Sequence, residues 1–167
     1  MRAMSAAHAR LHAAWLGARA GRHEEALREY LWFHEHALEE DRHLNGVRLS
    51  YALAHWKELA DVYPPALKAL VDIRDRKMDV LLAGVRSWDL FHDVVSINER
   101  IDREYETWAL FDTVALHDPA FAKRCASIAL PSLIKEGDFA LAARFLPESE
   151  STIRDHAAFM NHRFARR

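Results

Sequence analysis

The chain of 167 residues has one cysteine, five glycines and five prolines, no long apolar run and no excess of basic charge. Each shortage excludes something. A single thiol, Cys125, cannot form an intrachain disulfide or a thiolate metal cluster, and its helical surroundings (FAKRCASIAL) suit a buried, inert side chain. No stretch approaches the roughly 18–20 apolar residues that span a bilayer. The first fifteen residues carry His and Arg where a secretory signal would be apolar, so a soluble cytoplasmic protein is the expectation. Lys and Arg total 23 against 25 acidic residues, a net charge of -2. That balance argues against nucleic acid as the partner, because phosphate binding needs a basic surface.

Half the residues are apolar and 29% are charged, the balance of a globular domain. The few breakers cut the chain at Gly21, Asn45-Gly46, Pro64-Pro65, Gly84, Asp118-Pro119, Gly137 and Pro147. Between them lie segments rich in Ala, Leu, Glu and Arg, all good helix formers, with no alternating or β-branched stretch to suggest strands. Apolar residues recur at three- and four-residue spacing: Leu27, Tyr30, Leu31, His34 and Leu38; then Leu49, Ala52, Leu53, Trp56, Leu59, Ala60 and Tyr63; then Leu90, Val94, Ile97 and Ile101. Trp108 and Phe111 follow beyond a turn near 100–103. The pattern predicts an all-α chain of about nine helices, at 5–20, 23–44, 47–63, 65–83, 86–99, 103–117, 119–136, 138–146 and 149–164. Asn45-Gly46 is expected to end a helix in the left-handed region. Pro65 and Pro119 suit first turns, and Asp118 suits an N-cap.

Two stretches carry a family likeness. Residues 56–63, WKELADVY, fit the W-x2-L-[GA]-x2-Y pattern. Gly21 followed by Ala26, Leu27 and Tyr30 is echoed by Gly137 followed by Ala142 and Phe145, as though each glycine turns a helix pair and each alanine sits at the crossing. In these features the chain resembles tetratricopeptide repeats. The pattern departs where Pro64-Pro65 follows Tyr63 at once, and where Ala13-Ala14 replaces the expected Leu-Gly with Trp15 out of register. The resemblance implies antiparallel helix hairpins stacked as a single right-handed α-solenoid over residues 1–167, with 149–164 as a capping helix or homodimer contact through Phe159, Met160 and Phe164. It also implies a protein or peptide partner and no chemistry. The matching face of 47–63 offers Lys57 and Asp61, a mixed pair that does not make a carboxylate clamp.

The 11 histidines invite a metal reading. The segment LWFHEHALEEDRH lacks the second histidine of H-E-x-x-H, and His34 and His36 point about 160° apart on a helix. His36, Glu40 and His43, with Asp89-x-x-His92 as a loose second copy, have the spacing of di-metal carboxylate proteins. They lie opposite the apolar stripe, where a solvated charged face is the simpler reading, so the expectation is no metal and no cofactor. No G-x-S-x-G, phosphate-binding loop or dinucleotide fingerprint is present. The expected contact surface is therefore Trp32, His36 and His43 on one helix, with Lys57 and Asp61 on another. The alternative is a helical di-metal enzyme.

Overall fold

The structure, a computed structural model, describes residues 5–146, 151 and 153–158. Among them every regular element is helical. These are α1 (Ala6–Arg19), α2 (His23–Glu40), a 3-10 turn (Arg42–Leu44), the short α3 (Asn45–Val47) and a π turn (Arg48–Ala52). Then come α4 (Leu53–Val62), α5 (Pro64–Leu82), α6 (Trp88–Arg100), α7 (Glu104–His117), α8 (Pro119–Lys135) and α9 (Phe139–Phe145). Residues 153–158 are also helical, while Phe159, Met160 and Phe164 lie outside the described residues. No described helix is long and apolar enough to cross a membrane. The chain divides into two compact units, 1–75 and 76–167, with the division falling inside α5.

In the first unit, α1 and α2 form an antiparallel hairpin. Gly21, at φ +77°, makes the turn, with Arg22 N–H donating to Gly17 O at 2.9 Å and Gly21 N–H to Ala18 O at 3.2 Å. These two bonds satisfy the last carbonyls of α1 in a Schellman arrangement that a side chain would strain. Just before it, Gly17 is buried against Ala26, which is 1% exposed. A Cβ on Gly17 would meet that of Ala26 at 3.6 Å, ordinary contact, so an alanine would still fit while a larger residue would push the helices apart. The same turn recurs in the second unit, where Gly137, also at φ +77°, precedes the fully buried Ala142.

The inward face of α2 differs from the expected stripe. Ala26, Tyr30, Phe33, His34 and Ala37 are buried, whereas Leu27, Leu31 and Leu38 are only partly so. Small alanines hold the centre because α1 packs close there. The Asn45-Gly46 stop is also corrected. The break falls at Asp41, which is extended and accepts from His43 N–H at 2.8 Å, while Asn45 is right-handed helical within α3. Asn45 Oδ1 instead accepts from Arg48 Nη2 at 2.9 Å, helping to hold a guanidinium that is buried. Arg48 also donates to His34 Nε2 at 3.3 Å, so His34 faces inward as expected and carries its lone pair on that nitrogen. Next to it, Ser50 Oγ donates at 2.6 Å to Gly46 O, the carbonyl that a regular α-turn would offer to Ser50 N–H. The π turn is built there.

The second stripe is buried from Leu49 to Ala60 as the periodicity requires, while Tyr63 at its end is only partly buried. Trp56 is its centre. Its ring stacks on Tyr30 at 6.1 Å and meets His34 edge-on, and its Nε1–H donates to Ala66 O at 3.0 Å.

The second unit is built on aromatic contacts of Phe91 with Phe111 and Phe121, and of Phe111 with Phe145, in tilted edge-to-face geometry. Cys125 is fully buried among them, and burial pushes its thiol up to about 12, so it is not a nucleophile at neutral pH. Asn98 and Thr107, both fully buried, satisfy each other at 3.0 Å. Asp118 caps α8 as expected, accepting from Phe121 N–H at 3.0 Å, and Arg86 Nε reaches its other oxygen at 2.8 Å. The Phe121 N–H and the Arg86 guanidinium hold the Asp118 carboxyl below its ordinary range. A group whose folded value is depressed stabilises the fold above its unfolded value and loses that contribution as pH falls through the folded one. Asp118→Asn keeps the cap oxygen and removes the charge. Its melting temperature should fall below that of the wild type at pH 7, and the gap should close below about pH 4. A gap that is the same at both pH values would contradict the assignment.

Candidate functional site

The five expected contact residues are each engaged in local contacts. Trp32 is half-buried, with the Arg10 guanidinium lying 4.0 Å over its ring. Arg10 is in turn held by Glu29 through two bonds, at 2.5 and 3.0 Å. The open face proposed for Trp32 is therefore covered by α1 through a cation–π contact. His36 lies 5.5 Å from Trp32, ring to ring, and pairs with Glu39 at 3.1 Å. His43 turns to Asp41 at 2.9 Å, and Lys57 pairs with Asp61 one turn along α4. The structure thus brings Trp32 to His36 and Lys57 to Asp61, with His43 engaged separately.

Of the di-metal residues, Glu40 and His92 are similarly engaged. Glu40 Oε2 accepts from Ala7 N–H at 3.0 Å, which satisfies a first-turn donor of α1. Asp89 is exposed, and the ring of His92 packs on Trp88 at 4.8 Å. Among the described residues no group of three or more His, Cys, Asp or Glu side chains converges as a metal site.

A different site is present in the first unit. A groove of about 480 Å³ lies between α1 and the stretch that runs from α3 through the π turn into α4, lined by His8, Leu11, His12, Trp15, Val47, Tyr51 and His55. The spacing explains it: 8, 12 and 15 fall on one face of α1, and 51 and 55 are one turn apart. Tyr51, on the π turn, is 69% exposed, a large aromatic presented to solvent at an irregular turn of a kind often found at functional positions. Trp15 carries most of the ring contacts among the lining residues. His12 stacks on it at 6.0 Å, His55 meets it at 6.4 Å, and Arg19 lies 4.9 Å over its ring.

Trp15 and His55 are also walls of a second, smaller cavity of about 120 Å³, with Ala18, Arg19, Tyr30, Glu58, Leu59 and Val62 as its other walls. Tyr30 is 1% exposed, and its hydroxyl is buried with no hydrogen-bond partner. Burial, and secondarily the charge of Glu58, hold this phenol well above its usual range, so it remains an O–H donor at any physiological pH. His55 Nδ1 bonds Glu58 Oε2 at 3.2 Å. Trp15 and His55 thus border both the apolar groove and the smaller cavity, and the Tyr30 hydroxyl is enclosed by the packing.

Periodicity placed Tyr30 in the core but could not show that its hydroxyl lacks a partner. Trp15 is out of register with the repeat pattern, while the spacing of His8, His12 and Trp15 marks a shared face of α1. No family model, curated protein or solved structure matches this chain. Its class is set by its own geometry: an all-α chain whose first unit carries an apolar groove.

An unpaired buried hydroxyl costs about 1–3 kcal/mol, and removing it relieves that cost. Tyr30→Phe should therefore raise the unfolding free energy in chemical denaturation by about 1 kcal/mol. A loss of similar size would mean that the hydroxyl is bonded in solution.

Proposed function

We propose that the protein is a non-enzymatic helical binding module that docks a peptide segment of a partner protein in the groove of its first unit. The observation that carries this reading is the groove itself, wide, open and chiefly apolar, lined by Trp15 and the exposed Tyr51. Aromatic side chains of this kind offer large contact area at small entropic cost and recur at the centres of interfaces. A surface between two helices, with anchors one turn apart on each, suits a short segment that places one or two apolar side chains. The hairpin turns at Gly21 and Gly137, each followed by a buried alanine, support a degenerate tetratricopeptide-like arrangement as the scaffold. In that reading the partner contacts lie on His8, Leu11, His12, Trp15, Val47, Tyr51 and His55 instead of Trp32, His36, His43, Lys57 and Asp61.

The test is selection of displayed random peptides on the full chain, followed by titration of the selected peptides. Tyr51→Asp and Leu11→Asp should each weaken binding at least about tenfold, the loss of about 1.4 kcal/mol of contact, with an unchanged circular dichroism spectrum. Lys57→Ala should leave binding unaltered. Selected peptides that bind Tyr51→Asp and Leu11→Asp as well as the wild type would refute the groove.

A further inference from the structure

The groove differs in charge from the chain that builds it. Residues 1–23 contain no Asp or Glu, and neither do residues 42–57, so all 25 acidic residues of the sequence lie elsewhere. Both walls come from these two stretches, His8, Leu11, His12 and Trp15 from the first and Val47, Tyr51 and His55 from the second. A chain of net charge -2 has thus built an apolar groove with no carboxylate in its lining. Several nearby cations are neutralised by partners outside these stretches. Arg10 pairs with Glu29, Arg22 with Glu25, Lys57 with Asp61 and His55 with Glu58. Two groups on α1 are not. Among the described residues Arg19 has no ion-pair partner and His12 no hydrogen-bond partner, and each contacts the ring of Trp15 instead, at 4.9 and 6.0 Å. Glu58 lines the smaller cavity together with Arg19 but gives its carboxylate to His55. Positions 8, 12, 15 and 19 recur at helical spacing, so these groups share one face of α1.

The partner chemistry follows from these two properties together. An apolar side chain suits the lining of Leu11, Trp15, Val47 and Tyr51. Beside it, a basic residue would meet a guanidinium and imidazoles with no carboxylate in the lining to offset them. A neutral residue would leave the charge of Arg19 unused. A carboxylate gains a charge-assisted bond from a guanidinium and an N–H from an imidazole, which offers one in either protonation state. A guanidinium resting over a ring keeps its N–H groups available at its edge. The apolar lining and the few cations favour a peptide over a nucleic acid strand, whose phosphates need many basic contacts. We propose that the groove selects an acidic–apolar segment of its protein partner: an apolar side chain packs against Trp15 and Tyr51, and an adjacent Asp or Glu pairs with Arg19 and His12. This assignment rests on the peptide-docking reading and adds the specificity that an apolar groove alone does not have.

The test titrates three probes that share a phenyl body and differ in the head group, hydrocinnamate, hydrocinnamamide and phenylpropylamine, into the intact protein by NMR at low salt. The acid should bind about fivefold more tightly than the amide, as an exposed ion pair allows, and the amine should bind most weakly. Sodium chloride at about 0.5 M should remove the preference for the acid and leave the amide unchanged. Arg19→Gln combined with His12→Gln should do the same with an unchanged circular dichroism spectrum, whereas Arg28→Gln, which removes a charge away from the groove lining, should leave the preference intact. Tyr51→Ala should weaken all three probes alike. In the second arm, peptides selected by display should carry Asp or Glu beside an apolar residue. Changing that acid to its amide should weaken binding to the wild type about fivefold and leave binding to the double variant unaltered. An acid that binds no better than the amide, a preference that survives the double variant, or selected peptides without an acidic residue would each overturn the assignment. So would a single-stranded oligonucleotide that binds more tightly than every selected peptide. If the three probes bind equally and Tyr51→Ala weakens them all, the docking groove stands and the acidic preference falls; if neither probes nor selected peptides bind there, both fall.

Discussion

The first unit depends on how Trp56 is buried. An indole is too large to enter a core cheaply unless its N–H finds an acceptor, since an orphaned donor would offset part of the roughly 3 kcal/mol gained by removing the ring from water. Here the acceptor is Ala66 O, at the start of α5, and the ring is held between Tyr30 and His34 of α2. One side chain on α4 thus ties together the helix before it and the helix after it. The stacking on Tyr30 also constrains that ring, and its hydroxyl is left enclosed without a partner, a by-product of the packing that makes the unit stable.

The groove has a related origin. At its C-terminal end α1 approaches α2 closely because Gly17 and Ala26 present almost no side chain there. Its other flank carries His8, Leu11, His12 and Trp15, which face the stretch beyond α2. That stretch contains a π turn where Ser50 competes for a backbone carbonyl and Arg48 is drawn inward by His34 and Asn45. Arg48, Leu49 and Ala52 are buried while Tyr51 is left in solvent. Close packing on one side of α1 and an irregular turn on the other leave a gap that the side chains line but do not fill.

The second unit is held together differently, by carboxylates that serve two elements at once. Asp118 caps α8 and receives Arg86. Asp138 caps α9 through Leu141 N–H at 3.1 Å and accepts Trp108 Nε1–H at 2.9 Å. Lys135 near the end of α8 meets Glu104 at the start of α7, at 2.7 Å. Each bond fixes a helix end relative to its neighbour, where orphan backbone groups would otherwise need water. Around these points the phenylalanine contacts fill the core. Lys77 also pairs with the buried Asp93, which keeps that carboxylate from being an uncompensated charge.

The amino-acid sequence by itself determined the helical class, most helix ends and the burial of the Trp56 and Phe111 faces. Those depend on local causes: a proline that cannot continue a helix, a glycine that alone tolerates φ +77°, an aspartate that caps, and apolar residues that recur with the helical period. Asn45-Gly46 had the right local signal for a stop and did not make one, because Arg48 offered Asn45 a better use within the helix. Trp32 looked open on its own helix and is covered by Arg10 from another. Whether a side chain on a polar face is exposed, and whether a buried hydroxyl finds a partner, depends on residues distant in the chain, and no periodicity encodes them. The histidines on both helices bordering the groove were visible as letters. Only the tertiary structure decided that His8, His12 and His55 line one groove with Trp15.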